Sequence, residues 1–173
     1  MPKIIATALL LLTVLVGQAA AQSEIQQLAD RLSESVKAEK PQWQHRRGGG
    51  AHAAEDAVVV QSWSFSHRGV SVSIVSHASV AEAQAALEKF LFYEKDKRRI
   101  GALGDEAWGW GMYGADIALR KGRFTVYVSV SAHVDADPDA RTLNREAKEA
   151  RRKAEHLRLA QEFVGHLRTA FGQ

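Results

Sequence analysis

The sequence has 173 residues, of which 46% are hydrophobic and 25% are charged, and its formal net charge is +3. It contains no cysteine, which excludes disulfides, thiolate catalysis, zinc–thiolate sites and a lipid-modified cysteine. The length suits one domain with its own hydrophobic core, and the mild, interspersed charge does not favour nucleic acid as a partner.

The N-terminal segment has the three-part pattern of a secretory signal peptide. Lys3 supplies a positive charge, Ile4 to Val16 form an almost unbroken apolar run, and Ala19 to Ala21 are small residues of the kind that signal peptidase requires. The apolar run is shorter than the ~20 residues that cross a bilayer. We therefore expect residues 1–21 to be cleaved, leaving a bacterial periplasmic or secreted protein without a transmembrane anchor.

A helix and a flexible connector are predicted next. Ser23 and Gln26 have the form of a capping box, and apolar residues recur at helical spacing from Glu24 to Glu39. The glycine run at Gly48 to Gly50 then predicts a flexible connector over residues 41–56.

Two strand-like segments predict a first hairpin. Val58 to Ser66 and Val70 to His77 flank Arg68-Gly69, which we interpret as a two-residue turn. Pairing centred on that turn places Trp63 opposite Ile74 and serine opposite serine. One face of the hairpin is then apolar and the other is rich in serine.

A second helix and a second hairpin unit follow. Ser79 and Glu82 form a capping box ahead of a helical apolar stripe, and we expect this helix to cover the apolar face of the first hairpin. Glu106 to Tyr113 reads as a strand, and the strands Ile117 to Arg120 and Arg123 to Ser131 flank a predicted turn at residues 121–122.

The last predicted element is a long helix. Asp137-Pro138 resembles a helix start, and apolar residues recur every three or four positions as far as Phe171. Its charged, alanine-rich first half is expected to project or to pair with the first helix.

The element order α-β-β-α-β-β-β-α predicts an α+β domain, with a mostly antiparallel sheet of about five strands and helices on one face. The expected organisation is a helix in residues 22–40, a connector in 41–56, the sheet with one helix in 57–136 and the C-terminal helix in 137–173.

A short motif lies ahead of the second hairpin. Residues Ile100 to Trp108 read I-G-A-L-G-D-E-A-W, and Leu119 to Gly122 read L-R-K-G. This resembles a pattern in uncharacterised exported bacterial proteins and lipoproteins, in which G-x-L-G-D-E-A-aromatic leads into strands that end in an R-K-G turn. The resemblance covers about Ile100 to Ser131 and implies an extracytoplasmic α+β domain of unknown activity. The chain departs from the lipoprotein members because it has no cysteine to lipidate.

The same segment supplies the candidate ligand-binding residues. In one interpretation the turn acids bind backbone amides and neighbouring arginines, as turn acids commonly do. In the other, the acids and the aromatic residues that follow form the rim of a binding site, with the intervening glycines leaving room for a ligand. The candidate residues are Asp105, Glu106, Trp108, Trp110 and Tyr113.

A second acidic segment permits a weaker calcium hypothesis. Asp135, Asp137, Asp139 and Glu146 have the spacing of positions 1, 3, 5 and 12 of a calcium loop. Position 6 is Ala140 where that loop needs glycine, and the preceding element reads as a strand. We therefore predict no metal site and no cofactor, and interpret the aspartates as helix-start residues.

The sequence carries no motif of an enzyme class that we can identify. The histidines show no ligand spacing, and there is no G-x-S-x-G element. The leading hypothesis is an exported, non-enzymatic protein that binds a small ligand or an envelope protein. The alternatives are a cell-envelope hydrolase using Asp105, Glu106 or His133, and an assembly protein acting through its C-terminal helix.

Overall fold

A computed structural model describes residues 24–52 and 56–173, so the signal-peptide prediction and the Ser23 cap lie outside the described residues. The described chain forms an α+β fold, as predicted, with helices packed on a seven-stranded antiparallel sheet. The helices are α1 over residues 24–39, α2 (Val80–Phe92) and α3 (Arg145–Phe171). The strands are β1 (Gln44–His52), β2 (Asp56–Phe65), β3 (Arg68–Ser76), β4 (Arg98–Arg99), β5 (Glu106–Trp110), β6 (Asp116–Lys121) and β7 (Phe124–Ala132).

The sheet has the strand order β1-β2-β3-β7-β6-β5-β4, and β3 and β7 pair at its centre. Their register sets Val72 opposite Val128 and Ser71 opposite Ser129. Because successive side chains in a strand point to opposite faces, the valines lie on one face and the serines on the other. We call these the first face and the second face.

The first face carries the main hydrophobic core, and both α1 and α3 cover it. Ile25 and Leu32 of α1 and Phe163 of α3 are fully buried there with Trp63 of β2. Gln61, also buried, donates from Nε2 to the Ala29 carbonyl at 2.8 Å and so fixes β2 against α1.

The second helix covers part of the second face. Leu87 and Leu91 of α2 form a separate buried cluster with Ala118 of β6, and Phe90 packs on Tyr127 and Trp110 with ring centroids 4.6 and 5.0 Å apart. The predicted capping box starts this helix, since Ser79 Oγ accepts from the Glu82 amide. The helices therefore lie on both faces, which corrects the expectation of one. The first face is filled by α1 and α3, and aromatic residues of β5 and β7 give α2 an apolar surface on the other.

Seven strands form where about five were expected. Residues 44–52, assigned from sequence to a flexible connector, pair with β2 along their length, so Gly48 lies opposite Val60. Hydrogen bonds to an apolar neighbouring strand can hold a glycine-rich segment that has little strand propensity of its own. The second added strand, β4, is a two-residue edge strand on β5.

Both hairpin turns differ in position from the prediction, yet the faces are as expected. Trp63 pairs with Val70 instead of Ile74, because the turn is formed by Ser66 and His67, with Ser66 at a φ of 54°. In the second hairpin Lys121 pairs with Phe124, which moves the turn to residues 122–123. The partners shift by four residues in the first hairpin and by two in the second, and an even shift keeps each side chain on its face.

The long C-terminal helix begins later than predicted. Asn144 caps α3 by accepting from the Ala147 amide at 2.8 Å, and the segments Val134–Ala136 and Pro138–Ala140 are short 3-10 turns. Asp137 occupies the N-cap position of the second of these turns, ahead of Pro138, but its side chain caps no amide; its carboxylate binds the guanidinium groups of Arg68 and Arg151.

The first half of α3 is attached to the sheet by ion pairs and does not project from it. Arg68, at the start of β3, donates to Glu155 of α3 at 2.6 Å and to Asp137 at 2.8 Å. Hydrogen bonds from Arg158 and Arg68 outweigh the effect of burial and lower the pKa of Glu155 from 4.5 to about 2. Because these partners are largely buried, removing one of them leaves a poorly solvated, unpaired charge, which costs more than breaking an exposed pair.

The Arg68 bridge predicts a pH-dependent stability difference. Arg68→Met should lower the free energy of unfolding by about 1–2 kcal/mol at neutral pH, between the values for exposed and buried pairs. Because the folded-state pKa of Glu155 is depressed, its contribution is complete above pH 4.5 and is lost as the pH falls towards about 2. Chemical denaturation across that range measures the difference. Arg46→Met, at an exposed position of β1, is the control, and a similar loss in both variants would contradict the role of the bridge.

Candidate functional site

Asp105 connects the loop before β5 to the turn between β6 and β7. Its carboxylate accepts from the Gly122 amide at 2.7 Å and from Arg120 Nη1 at 2.9 Å, and its own amide donates to the Arg120 carbonyl at 2.8 Å. Burial acts to raise the pKa of Asp105, but the Gly122 hydrogen bond and the nearby cations, Lys121 first, bring it below its ordinary value of 3.8. Asp105 therefore binds a backbone amide and a neighbouring arginine, as the first of the two sequence interpretations expects of a turn acid.

Glu106, Trp108 and Trp110 share the second face beside α2. Trp108 Nε1 donates to Glu106 Oε1 at 2.9 Å, and both indoles pack against the buried α2 cluster. Arg99 of β4 lies over the Trp108 ring, 5.9 Å from its centroid. These aromatic side chains therefore contribute to the packing of α2.

Tyr113 lies on the other side of the sheet, in the 3-10 turn Met112–Gly114. Its backbone has a φ of 61°, a left-handed conformation that is rare and strained for a tyrosine. The ring packs edge-on against His156 at 5.3 Å, and the hydroxyl donates to Glu149 of α3. This hydrogen bond raises the pKa of Tyr113 above its ordinary value. The five predicted binding residues are thus divided among three places, and only Tyr113 reaches α3.

An open cleft of about 400 Å³ lies beside Tyr113, at the start of α3. Every side chain that lines it is charged. Four come from successive turns of α3 and one from the 3-10 turn that follows β7. They are Asp135, Arg145, Lys148, Glu149 and Arg152.

The charges in the cleft are unevenly paired. Arg152 donates to both Asp135 and Glu149, and these carboxylates raise its pKa further, through Asp135 above all. No ion pair joins Arg145 or Lys148 to any residue in the described ranges. Paired side chains thus fix one wall of the cleft, while two cations remain available to an anionic group.

The acids of the calcium hypothesis bind arginines instead of converging on one point. Asp135 pairs with Arg152, while Asp137 and Asp139 pair with Arg151 at 3.0 and 2.8 Å. Glu146 lies in the first turn of α3, and among the described residues no group of three or more His, Asp or Glu side chains is placed to hold a metal. The geometry gives no support to a calcium site.

One polar cluster was not anticipated from the sequence. Ser35 Oγ lies 2.9 Å from His166 Nδ1, and Glu39 is 3.9 Å from Nε2 of the same ring. His166 is buried against Phe163, and burial lowers its pKa. The cluster joins α1 to α3, and no spacing within either helix could have indicated it. It lies away from the cleft, so its geometry favours a packing role over a catalytic one.

Neither a family model, nor a curated protein, nor a solved structure matches the chain. Within residues 24–52 and 56–173, none of the helices combines the length and hydrophobicity of a membrane span. The chemistry of the cleft is therefore inferred from its side chains.

Two glycines near Asp105 differ in what a side chain would meet, so alanine substitutions at them distinguish the cost of backbone strain from the cost of steric overlap. Gly104 and Gly122 have φ angles of 61° and 55°. A Cβ on Gly104 would lie 2.5 Å from the Arg120 carbonyl oxygen, whereas one on Gly122 meets nothing within 4 Å. We expect Gly122→Ala to cost about 1 kcal/mol from strain and Gly104→Ala about 3 kcal/mol from strain and overlap. Denaturant unfolding measures both, and equal losses would contradict the close approach at Gly104.

The Asp105 contacts predict a second pH dependence. Asp105→Asn should lower the free energy of unfolding by about 1 kcal/mol at pH 7, a modest loss because solvent partly screens the carboxylate. Since the folded-state pKa of Asp105 is depressed, the difference from wild type should shrink as the pH falls below 3.8. Asp96→Asn, in another loop, is the matched control for the same chemical change. A difference that persists unchanged at low pH would show that ionisation of Asp105 does not stabilise the turn.

Proposed function

We propose that this chain is an exported, non-enzymatic protein that binds a small anionic ligand in the cleft at the start of α3. The observation that carries the proposal is the pair of cations, Arg145 and Lys148, that line an open cleft without carboxylate partners among the described residues. Cations without carboxylate partners can bind an anionic group through charge-assisted hydrogen bonds. Export is supported by the signal-peptide pattern of residues 1–21 and by the resemblance to exported proteins.

The lining residues indicate the chemical class of the ligand. A carboxylate or phosphate group would accept hydrogen bonds from Arg145 and Lys148. Asp135 and Glu149, which also line the cleft, would accept from a hydroxyl or ammonium group of the same molecule. Tyr113 is positioned at the edge by its bond to Glu149. The cleft therefore suits a small acid or phosphate that also carries a hydrogen-bond donor.

The alternatives have less support from the geometry. Asp105 and Glu106 are engaged by a turn amide and an indole, and they lie outside the cleft. The first half of α3, which the assembly hypothesis needs as a free surface, is tied to β3 by the ion pair between Arg68 and Glu155. A site for a small anionic ligand uses the available cations, Arg145 and Lys148. The hydrolase and assembly hypotheses assign these cations no role.

The proposal predicts which cations control affinity. Isothermal titration calorimetry with inorganic phosphate, a hydroxy acid, an amino acid and a sugar phosphate should find binding by the wild-type protein. Arg145→Ala and Lys148→Ala should each weaken it about tenfold, the effect of losing one charge-assisted hydrogen bond. Affinity should also fall with added salt.

The control for this test lies on the same helix. Lys153 is exposed and does not line the cleft, so Lys153→Ala removes a lysine charge without changing the site. Unchanged affinity in Arg145→Ala and Lys148→Ala, or an equal loss in Lys153→Ala, would contradict binding in the cleft. Failure of the wild-type protein to bind any of these anions would do the same.

A further inference from the structure

Two aromatic side chains protrude from the end of α2. Phe92 and Tyr93 are 76% and 77% exposed, and their rings lie edge to face with centroids 5.0 Å apart. Phe90, two residues earlier on the same helix, packs against the sheet. The apolar surface of the protruding pair has no covering element in the part of the chain that the structure describes. Such adjacent, exposed aromatic residues indicate an interaction surface.

Basic residues follow this pair closely in the sequence. From Lys89 to Arg99 the sequence carries five basic residues and two acidic ones. All of residues 95–99 are exposed. We call Phe92, Tyr93 and residues 95–99 the aromatic tip. Its excess of positive charge is complementary to an anionic surface.

Hydrogen bonds and ring contacts hold the basic residues in place. Lys97 Nζ donates to the Leu91 carbonyl at 2.8 Å, which ties the segment to the end of α2. Arg98 donates to the Gly114 carbonyl at 3.3 Å, and Arg99 lies over Trp108. These contacts hold Lys97, Arg98 and Arg99 in defined positions instead of leaving them on a free loop.

We propose that the aromatic tip is a docking site for an anionic lipid bilayer. Phe92 and Tyr93 enter the boundary between the headgroups and the acyl chains, where Phe92 buries apolar surface and Tyr93 can keep its hydroxyl group in water. Lys95 and its basic neighbours contact lipid phosphates. An exposed aromatic pair followed by exposed basic residues matches the interfacial mode of binding, in which a shallow apolar insertion is combined with electrostatic attraction.

This docking site is separate from the proposed ligand site. The tip extends from the α2 side of the sheet and shares no residue with the cleft, which lies at the start of α3. The two are nevertheless near the same end of β5, because Arg98 contacts Gly114, the neighbour of Tyr113. A bilayer bound at the tip would keep the cleft close to the membrane surface.

Vesicle flotation tests this inference directly. The protein is purified in the form that an exporting bacterial host produces, and mass spectrometry verifies that every variant has the same N-terminus. Wild type should bind vesicles of phosphatidylcholine mixed with phosphatidylglycerol, and bind vesicles of phosphatidylcholine alone at least tenfold more weakly. Phe92→Ala/Tyr93→Ala should reduce binding to the mixed vesicles at least tenfold. Lys95→Gln should reduce it about fivefold.

Matched controls assign the effect to the tip. Val80→Ala changes an exposed apolar residue at the other end of α2, and Lys153→Gln neutralises an exposed lysine on α3; neither should alter vesicle binding. Thermal unfolding should show that the double aromatic variant keeps the wild-type stability, since both rings are exposed.

Three outcomes would overturn the inference. The first is wild-type protein that binds neither vesicle composition or binds both equally. The second is binding that survives Phe92→Ala/Tyr93→Ala. The third is binding that is lost in Arg145→Ala and Lys148→Ala but not in the aromatic variant, which would assign the lipid headgroup to the cleft. If Phe92→Ala/Tyr93→Ala loses vesicle binding but keeps the wild-type affinity for anions, the result supports docking at the aromatic tip and shows that the ligand site is intact. The two proposals can therefore fail independently.

Discussion

The alternation of valine and serine along the two central strands is the constraint on which the rest of the structure depends. Val72 and Val128 face one way, and Ser71 and Ser129 face the other. Apolar side chains on the first face require a cover, and α1 and α3 supply it with Ile25, Phe163 and their neighbours. The hydroxyl side can remain in contact with water, so the second face needs a helix only where aromatic residues replace serine.

The separation of the two proposed surfaces follows from this arrangement. On the second face α2 packs where Trp108, Trp110 and Tyr127 provide an apolar surface, which leaves its final residues projecting as the aromatic tip. On the other side, α3 begins at its cap, Asn144, and its second half packs on the first face. Its charged first half then lines the cleft, positioned by the ion pair between Arg68 and Glu155.

Some features that depend on residues close together in the sequence were predicted correctly. The Ser79 cap and the two faces of each hairpin follow from side-chain spacing, and the faces are correct even though the turns are displaced. The expectation that α2 covers the apolar face of the first hairpin is wrong: α2 packs on β6 and β7 at the second face, because an apolar stripe is compatible with either face. The cleft was missed for a similar reason: Asp135 and Arg152 lie far apart in sequence and meet only when α3 folds back on the sheet. Of the predicted binding residues, Tyr113 alone touches a residue that lines it.

The central claim is that α2 and α3 lie on opposite faces of one sheet, and a distance between them tests it most directly. The chain has no cysteine, so Glu88→Cys on α2 and Lys153→Cys on α3 would carry the only two spin labels. Pulsed electron paramagnetic resonance should give a separation greater than roughly 20 Å, since a sheet layer lies between the helices. A distance of about 10 Å, typical of helices packed side by side, would contradict the two-sided arrangement.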